Sequence, residues 1–564
     1  MPDSPVSAPV AKANTITGRD AFLRVLSDEG VVKMFGNPGT TELPIMHALS
    51  SAPEMGYVLA LQEAVVIAMA DGYARASGKL VSCNVHVAPG LGNAIGSIYT
   101  SMMSGTAMIV TAGQQEQGHG LTEPLLYAPL VPIATPVVKW ATEVSRIEDL
   151  PRILHRAAKI ATTAPTGPVF ISLPGDILNN EAPIDLGEAT HVDTAVRPSD
   201  AALEQLAKRL LAAKKPVILA GHEIATADAF AEAVALAETL GAPVLQQTVA
   251  WGAHFPSEHP AYLGALNRDQ KYVRSVLSAY DLMFCVGADV LKMSVWSETE
   301  PLPETTKVAM VGLRDWEMGK NFPAEIALRA DVKETLKALV PLLKKLGGSA
   351  LADKAKASLA EIAPKNWSAL RAARKARLAT PAATDKPLPA EWVMMRMCEK
   401  LPKDAIVVEE GLTSTATLPS YFAFRDRNSF FGNVSGGIGW GIAAAVGVQI
   451  AEPKRRVVAV IGDGSAMYSI TALWSAANQK LPMIFIITNN EGYQILKNRL
   501  KLFHGNDTPI GMDFNDPPMN IARIAEGFGV AAERVDTTAG FDAALDKALA
   551  RSDGPTLIEV MVKK

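Results

Sequence analysis

The chain has 564 residues, 48% of them apolar and 20% charged, with 54 basic and 58 acidic side chains and a net charge of −4. That length exceeds what one hydrophobic core organises and predicts three domains of about 100–200 residues each. The even charge balance excludes nucleic acid and anionic membrane surfaces as partners, and without a run of 18 apolar residues no membrane span is predicted.

Residues 1–14 are rich in Pro, Ser and Ala, lack the charged start and apolar core of a secretory signal, and read as a disordered tail. Over 15–190, helix-like and strand-like stretches alternate. A helix at 20–27 precedes a short run at 30–35 that ends in the turn Gly36-Asn37-Pro38-Gly39. A helix at 42–49, a strand at 57–61 and a nearly all-apolar helix at 64–76 follow, then strands at 80–87, 107–112 and 168–174. A polar stretch near 190–197 reads as a linker to a second unit, 197–346, with strands at 216–220, 242–246, 282–286 and 307–311. A charged helical linker spans 350–389. The third unit, 390–564, has strands at 405–408, 456–461, 483–488 and 556–562. The predicted fold class is α/β, with three doubly wound parallel-sheet domains. The three cysteines, Cys83, Cys285 and Cys398, are sparse and far apart, which fits core residues in a reducing compartment rather than a disulfide framework, and with no signal or span a cytoplasmic location is expected by default.

The third unit carries the plainest chemistry. The apolar strand at 456–461 runs into Gly462-Asp463-Gly464-Ser465, and the strand at 483–488 runs into Asn489-Asn490-Glu491-Gly492. Glycine lets the backbone turn and approach a ligand, its amides can face phosphate oxygens, and the next helix adds its N-terminal field. Residues 465–488 suffice for a helical crossover, so Asp463 and Asn490 can lie at adjacent strand ends. A carboxylate, an amide oxygen, a carbonyl and diphosphate oxygens form a hard octahedral set for Mg²⁺, or with looser geometry Ca²⁺. The alternative is a plain turn and a strand end.

This arrangement resembles the metal and diphosphate motif of thiamine-diphosphate enzymes. The likeness runs along nearly the whole chain and is nearest to the benzoylformate decarboxylase type, among pyruvate oxidase and acetolactate synthase relatives. Similar stretches are Gly36 through Pro44, Leu59 through Ala64, Asn84-Val85-His86, Gly113-Gln114-Gln115, Thr413-Ser414-Thr415, Gly436-Gly437-Ile438-Gly439, and residues 461–474. The resemblance implies that Asp463, Asn490 and the Gly492 carbonyl hold the metal. It implies that Gly462, Gly464, Ser465, Ala466, Thr413, Ser414 and Tyr493 surround the diphosphate end. Asn37, Pro38, Gly39 and Glu63 belong to the pyrimidine end, Ile438 is the apolar wedge that keeps the cofactor bent, and the Gly436 carbonyl accepts from its 4′-amino group.

Glu63 sits in an apolar run, Val58 through Ala68. It is either a buried acid paired with Arg75 or a backbone amide, or a desolvated carboxyl that keeps a proton available to the thiamine N1′. His86 ends a strand and is either structural or a proton carrier. Thr40 either caps a helix or touches a substrate carboxylate. The resemblance departs at Ser294, where the decarboxylase type has a second histidine; His119, in a loop, is a candidate substitute. Arg499 stands where an aromatic residue is expected, and either lies on the surface or pairs with a second acidic group of the substrate. Gln114-Gln115 replaces the paired histidines of pyruvate-type decarboxylases. The weak Gly221-His222 turn offers no dinucleotide loop, so FAD is not expected.

The expected activity is non-oxidative decarboxylation of a small 2-oxo acid to an aldehyde, with carboligation on the side, in a homodimer or homotetramer whose active sites lie between subunits. One alternative is an acetolactate synthase-like carboligase that joins the decarboxylated fragment to a second carbonyl compound. Another is a non-catalytic cofactor-binding protein.

Overall fold

The computed structural model describes residues 15–249, 251–294, 296–382 and 385–564; the tail expected at 1–14 lies outside them. The chain forms two compact units, Met1–Val192 and Asp193–Lys564. The first holds one six-stranded parallel sheet and the second holds two, as the α/β reading predicts.

From edge to edge, the first sheet runs Gly56–Leu59, Lys33–Gly36, Val81–Val85, Met108–Gln114, Pro168–Pro174 and Ala141–Glu143. Its central strands are buried on both faces, which is why they read as unbroken apolar runs. The connection from Lys33–Gly36 runs to Gly56–Leu59 on one side, and the connection from Val81–Val85 runs to Met108–Gln114 on the other. The crevice between those diverging connections opens beyond the carboxyl ends of Lys33–Gly36 and Val81–Val85, the usual ligand position in such sheets.

The last sheet of the second unit repeats this order with Phe430–Gly432, Ile406–Glu410, Val457–Gly462, Ile484–Asn489, Thr556–Met561 and Ala531–Val535. Its crevice therefore opens beyond Glu410 and Gly462. The other sheet runs Tyr262–Ala265, Val244–Gln246, Pro216–Ala220, Leu282–Val286, Lys307–Gly312 and Ile326–Arg329, the order of dinucleotide-binding folds. Beyond its strand ends the chain packs closely around Gly221. A Cβ on Gly221 would lie 2.1 Å from the Gly287 carbonyl oxygen, and the Glu223 carboxylate takes the Leu313 amide at 2.7 Å. Helix Val332–Ile362, bent at Gly348, and helix Trp367–Arg377 cover most of 350–389.

Candidate functional site

The first crevice is organised by a buried carboxylate. Strand Lys33–Gly36 leads through Asn37 and Pro38 into a short turn of helix, Thr40–Glu42, and the Glu42 side chain is completely buried. Its Oε2 accepts from the Gly39 amide and from His86 Nδ1, both at 2.8 Å; its Oε1 accepts from the Gly113 amide and Thr41 Oγ1, also at 2.8 Å. Two of these strand ends need glycine: a Cβ on Gly39 would lie 2.0 Å from His86 Nδ1, and one on Gly113 would lie 2.4 Å from Glu42 Oε1. The Glu42 contact holds His86 through Nδ1, so Nε2 is the ring nitrogen that does not meet Glu42. The next residue, Val87, has φ 40, a strained value for a β-branched side chain, at the start of helix Val87–Ser104.

Glu63 opens helix Glu63–Ser77 and is 8% exposed. Arg75 is not its partner; Arg75 pairs with Asp71 at 3.5 Å. Instead Glu63 Oε2 accepts from Asn93 Nδ2 at 3.1 Å, and a Cβ on Gly90 would lie 2.9 Å from Oε1. The carboxyl thus meets the helix that starts just after His86. Thr40 is exposed and is not the helix cap, a position held by Gly39. It lines a cleft with Arg19, His47, Gln114, Gln115 and His119.

The second crevice holds the Gly462–Ser465 turn and the loop after Asn489, brought together by the pairing of Val457–Gly462 with Ile484–Asn489. Asp463 Oδ1 accepts from the Gly464 amide at 2.8 Å, and Oδ2 from the Gly492 amide at 3.1 Å. Burial pushes the Asp463 carboxyl above its usual range, against these amides. The two asparagines have separate tasks. Asn489 bonds the fully buried Glu559 at 2.6 Å, whereas Asn490 donates to Ser414 Oγ at 3.3 Å. Asn490 Oδ1 is buried and accepts no hydrogen bond from the described residues. A desolvated carboxylate beside an orphaned amide oxygen suits a hard divalent cation, with the Gly492 carbonyl as third oxygen. Gly464 admits Tyr493: a Cβ there would lie 2.6 Å from its ring, which packs edge-on against Phe514. Ser465 and Ala466 are buried at the start of helix Asp463–Tyr468, Ser414 is buried, and Thr413 is half-buried. Leu412 and Glu491, one in each loop, have φ 49 and φ 60.

Three patterns match the chain: "Thiamine pyrophosphate enzyme, N-terminal TPP binding domain" over residues 16–124, the central domain of the same enzymes over 203–339, and their C-terminal TPP binding domain over 413–560. Benzoylformate decarboxylase of Pseudomonas aeruginosa is 34% identical, across 96% of this chain and 98% of that one. The chain belongs to the thiamine pyrophosphate enzymes. The structure of the thiamine diphosphate-dependent 4-hydroxybenzoylformate decarboxylase of Rhodococcus jostii RHA1 superposes with a TM-score of 0.86 at 33% identity, covering 97% of this chain and 99% of that one. Acetolactate synthase isozyme 3 large subunit of Escherichia coli K12 is 27% identical across 97% of this chain and 94% of that one.

Among the positions that the likeness to thiamine pyrophosphate enzymes singles out, Gly436 has φ +81 and lies exposed, with Ile438 half-exposed beyond it. Ser294 is exposed. Arg499 is exposed on helix Gln494–His504, its guanidinium 5.5 Å over the Phe503 ring. Sequence reasoning passed over Glu42 and Asn93. The signal for Glu42 was an acid inside a Gly/Pro turn at a strand end, read only as part of a helix start. Asn93 gave no signal, because its pairing with Glu63 spans 30 residues. Among the described residues no helix is long and apolar enough to cross a membrane.

Proposed function

We propose that this chain is a thiamine-diphosphate-dependent carboxy-lyase that converts a 2-oxo acid to CO₂ and an aldehyde, with Mg²⁺ as the bridging metal. The observation that carries the reading is the orphaned Asn490 Oδ1 beside the desolvated Asp463, at the crevice of a sheet whose strand order the first unit repeats around His86 and Glu63. Asp463, Asn490 and the Gly492 carbonyl would hold the metal, with Thr413, Ser414 and Ser465 at the diphosphate. Thiamine diphosphate, when bound, supplies a carbon nucleophile and an electron sink. Glu63 would keep a proton available to the pyrimidine N1′, Ile438 would be the apolar wedge against the cofactor, and the Gly436 carbonyl would accept a hydrogen bond from the 4′-amino group. His86, fixed by Glu42, carries the proton that the decarboxylated fragment needs to leave as an aldehyde. Thr40 binds the substrate carboxylate, and Arg499 and Ser294 set the far end of the substrate pocket.

The active sites would lie between subunits, in a homodimer or homotetramer. The identity to decarboxylases, 33–34%, exceeds the 27% to the acetolactate synthase subunit and favours proton uptake over carboligation. Carboligation is then a side reaction. Incubating the protein with a 2-oxo acid and an acceptor aldehyde distinguishes the two: free aldehyde as the main product supports the proposal, and hydroxyketone as the main product replaces it with a carboligase.

A further inference from the structure

Strand Ile406–Glu410 ends in two consecutive glutamates, Glu409 half-buried and Glu410 buried, and neither is among the residues that would touch the cofactor. Their side chains point to opposite faces of the sheet, as adjacent strand residues must. Glu409 turns to its own loop: its Oε1 accepts from the Gly411 amide at 2.7 Å and from Thr415 Oγ1, around the Thr413-Ser414 pair. Glu410, 3% exposed, turns to a different loop. It accepts from Asn433 Nδ2 at 2.8 Å, the Trp440 amide at 3.2 Å and the Gly441 amide at 2.8 Å, and both its oxygens share the Gly439 amide at 3.1 Å. Asn433 extends the brace, accepting from the Ser435 amide at 2.9 Å and donating to the Gly437 carbonyl. Both ends of the 433–441 loop are therefore tied to one carboxylate, and Gly436 and Ile438 lie between the ties. Gly441 is held so close that a Cβ there would come within 2.8 Å of the Glu410 Cβ.

We propose that Glu410 is a positioning residue, whose carboxylate fixes the 433–441 loop and so sets where Ile438 and the Gly436 carbonyl meet the thiamine pyrimidine. The bracing stands on the distances above; its consequence for the cofactor rests on the function proposed above. All four partners are N–H donors, so only the ionised carboxylate satisfies them, and a protonated Glu410 would turn its O–H toward donors. Burial nevertheless pushes this carboxyl up to about 7, against the pull of the four donors. No charged side chain is among its bonded partners. The neighbouring Glu409, also pushed up by burial, sits on the other face of the strand with Arg268 acting on it.

The test uses the full-length protein. Hydrogen exchange without cofactor, corrected for intrinsic rates, is followed at the amides of Gly439, Trp440 and Gly441 between pH 6 and pH 8. Protection of these amides is expected, stronger at pH 8 than at pH 6, and amides that exchange at the intrinsic rate at pH 8 overturn the brace. This arm needs no variant. In Glu410→Gln, those amides exchange fast at both pH values, and the Kd for thiamine diphosphate with Mg²⁺ weakens about ten-fold, while the Kd for inorganic diphosphate with Mg²⁺ stays the same. Equal weakening of both ligands, or unchanged protection in the variant, overturns the proposal. If the wild-type protein binds inorganic diphosphate but not thiamine diphosphate, the proposed function fails while the exchange result still decides the brace.

Discussion

Glu42→Gln separates a histidine held for proton transfer from one that is merely packed. Four donors converge on the two Glu42 oxygens: the Gly39 amide and His86 Nδ1 on one, the Gly113 amide and Thr41 Oγ1 on the other. A carboxylate accepts on both sides, whereas a glutamine keeps one oxygen and turns an NH₂ toward the other pair. With the oxygen left on Gly113 and Thr41, the NH₂ faces Gly39 and His86, and the imidazole relieves the clash by giving up its Nδ1 proton and carrying one on Nε2. The tautomer inverts without any side chain being deleted. Two hydrogen bonds to a charged group, worth about 1.5–3 kcal/mol each, are lost, and the new bond to Nδ1 restores about 1 kcal/mol. The net cost of about 2–5 kcal/mol corresponds to a fall of roughly 5–15 °C in Tm for a unit of this size. The kcat falls by about 10²–10⁴, the usual contribution of a positioned acid–base group, with a smaller change in KM. The assay is kcat against pH at saturating cofactor, with the imidazole nitrogens read by ¹⁵N NMR. An unchanged kcat and a retained Nδ1 proton would refute the tautomer argument.

Given the role proposed for Glu63, Glu63→Gln is expected to abolish C2–H exchange of bound thiamine diphosphate, measured by NMR; retained exchange contradicts the role. Asn490→Ala deletes the orphaned oxygen and is expected to weaken metal-dependent cofactor binding by about 10–100-fold in calorimetry, while fold stability falls only by the one Nδ2 bond to Ser414, about 1 kcal/mol, since the oxygen accepts no hydrogen bond from the described residues. A large loss of stability with intact binding would count against the metal site. Glu223 is a stability probe. Burial raises its carboxyl from 4.5 to about 7, so the folded chain binds more protons than the unfolded chain between those values. Stability is therefore fullest below pH 4.5 with respect to this group and falls by up to about 3 kcal/mol as pH rises through 7. In urea titrations at pH 5 and pH 8, Glu223→Gln should flatten that fall, and an identical slope in the variant would be evidence against it.

The interior strands were legible in the sequence, and the edges were not. Pro168–Pro174, Pro216–Ala220 and Leu282–Val286 fall where their apolar runs place them. Of the six edge strands of the three parallel sheets only Gly56–Leu59 is signalled. Ala141–Glu143, Tyr262–Ala265, Ile326–Arg329 and Ala531–Val535 have one partner strand and mixed exposure, and Phe430–Gly432 is too short to show a period. The candidate site divides in the same way. Asp463 and Asn490 follow apolar strands in a local pattern that a reader of sequence can see. The partners of Glu42 and Glu410 come from segments up to 71 residues away in the chain, and only the sheet order brings them together.

The central claim is tested most directly by adding carboxyl-¹³C-labelled aromatic, aliphatic and dicarboxylic 2-oxo acids to the purified protein and following ¹³CO₂ and aldehyde. The account predicts equal release of both from at least one acid, with release strictly dependent on thiamine diphosphate and Mg²⁺. Absence of CO₂ from every acid in the presence of both, or release that persists without the cofactor, would contradict it.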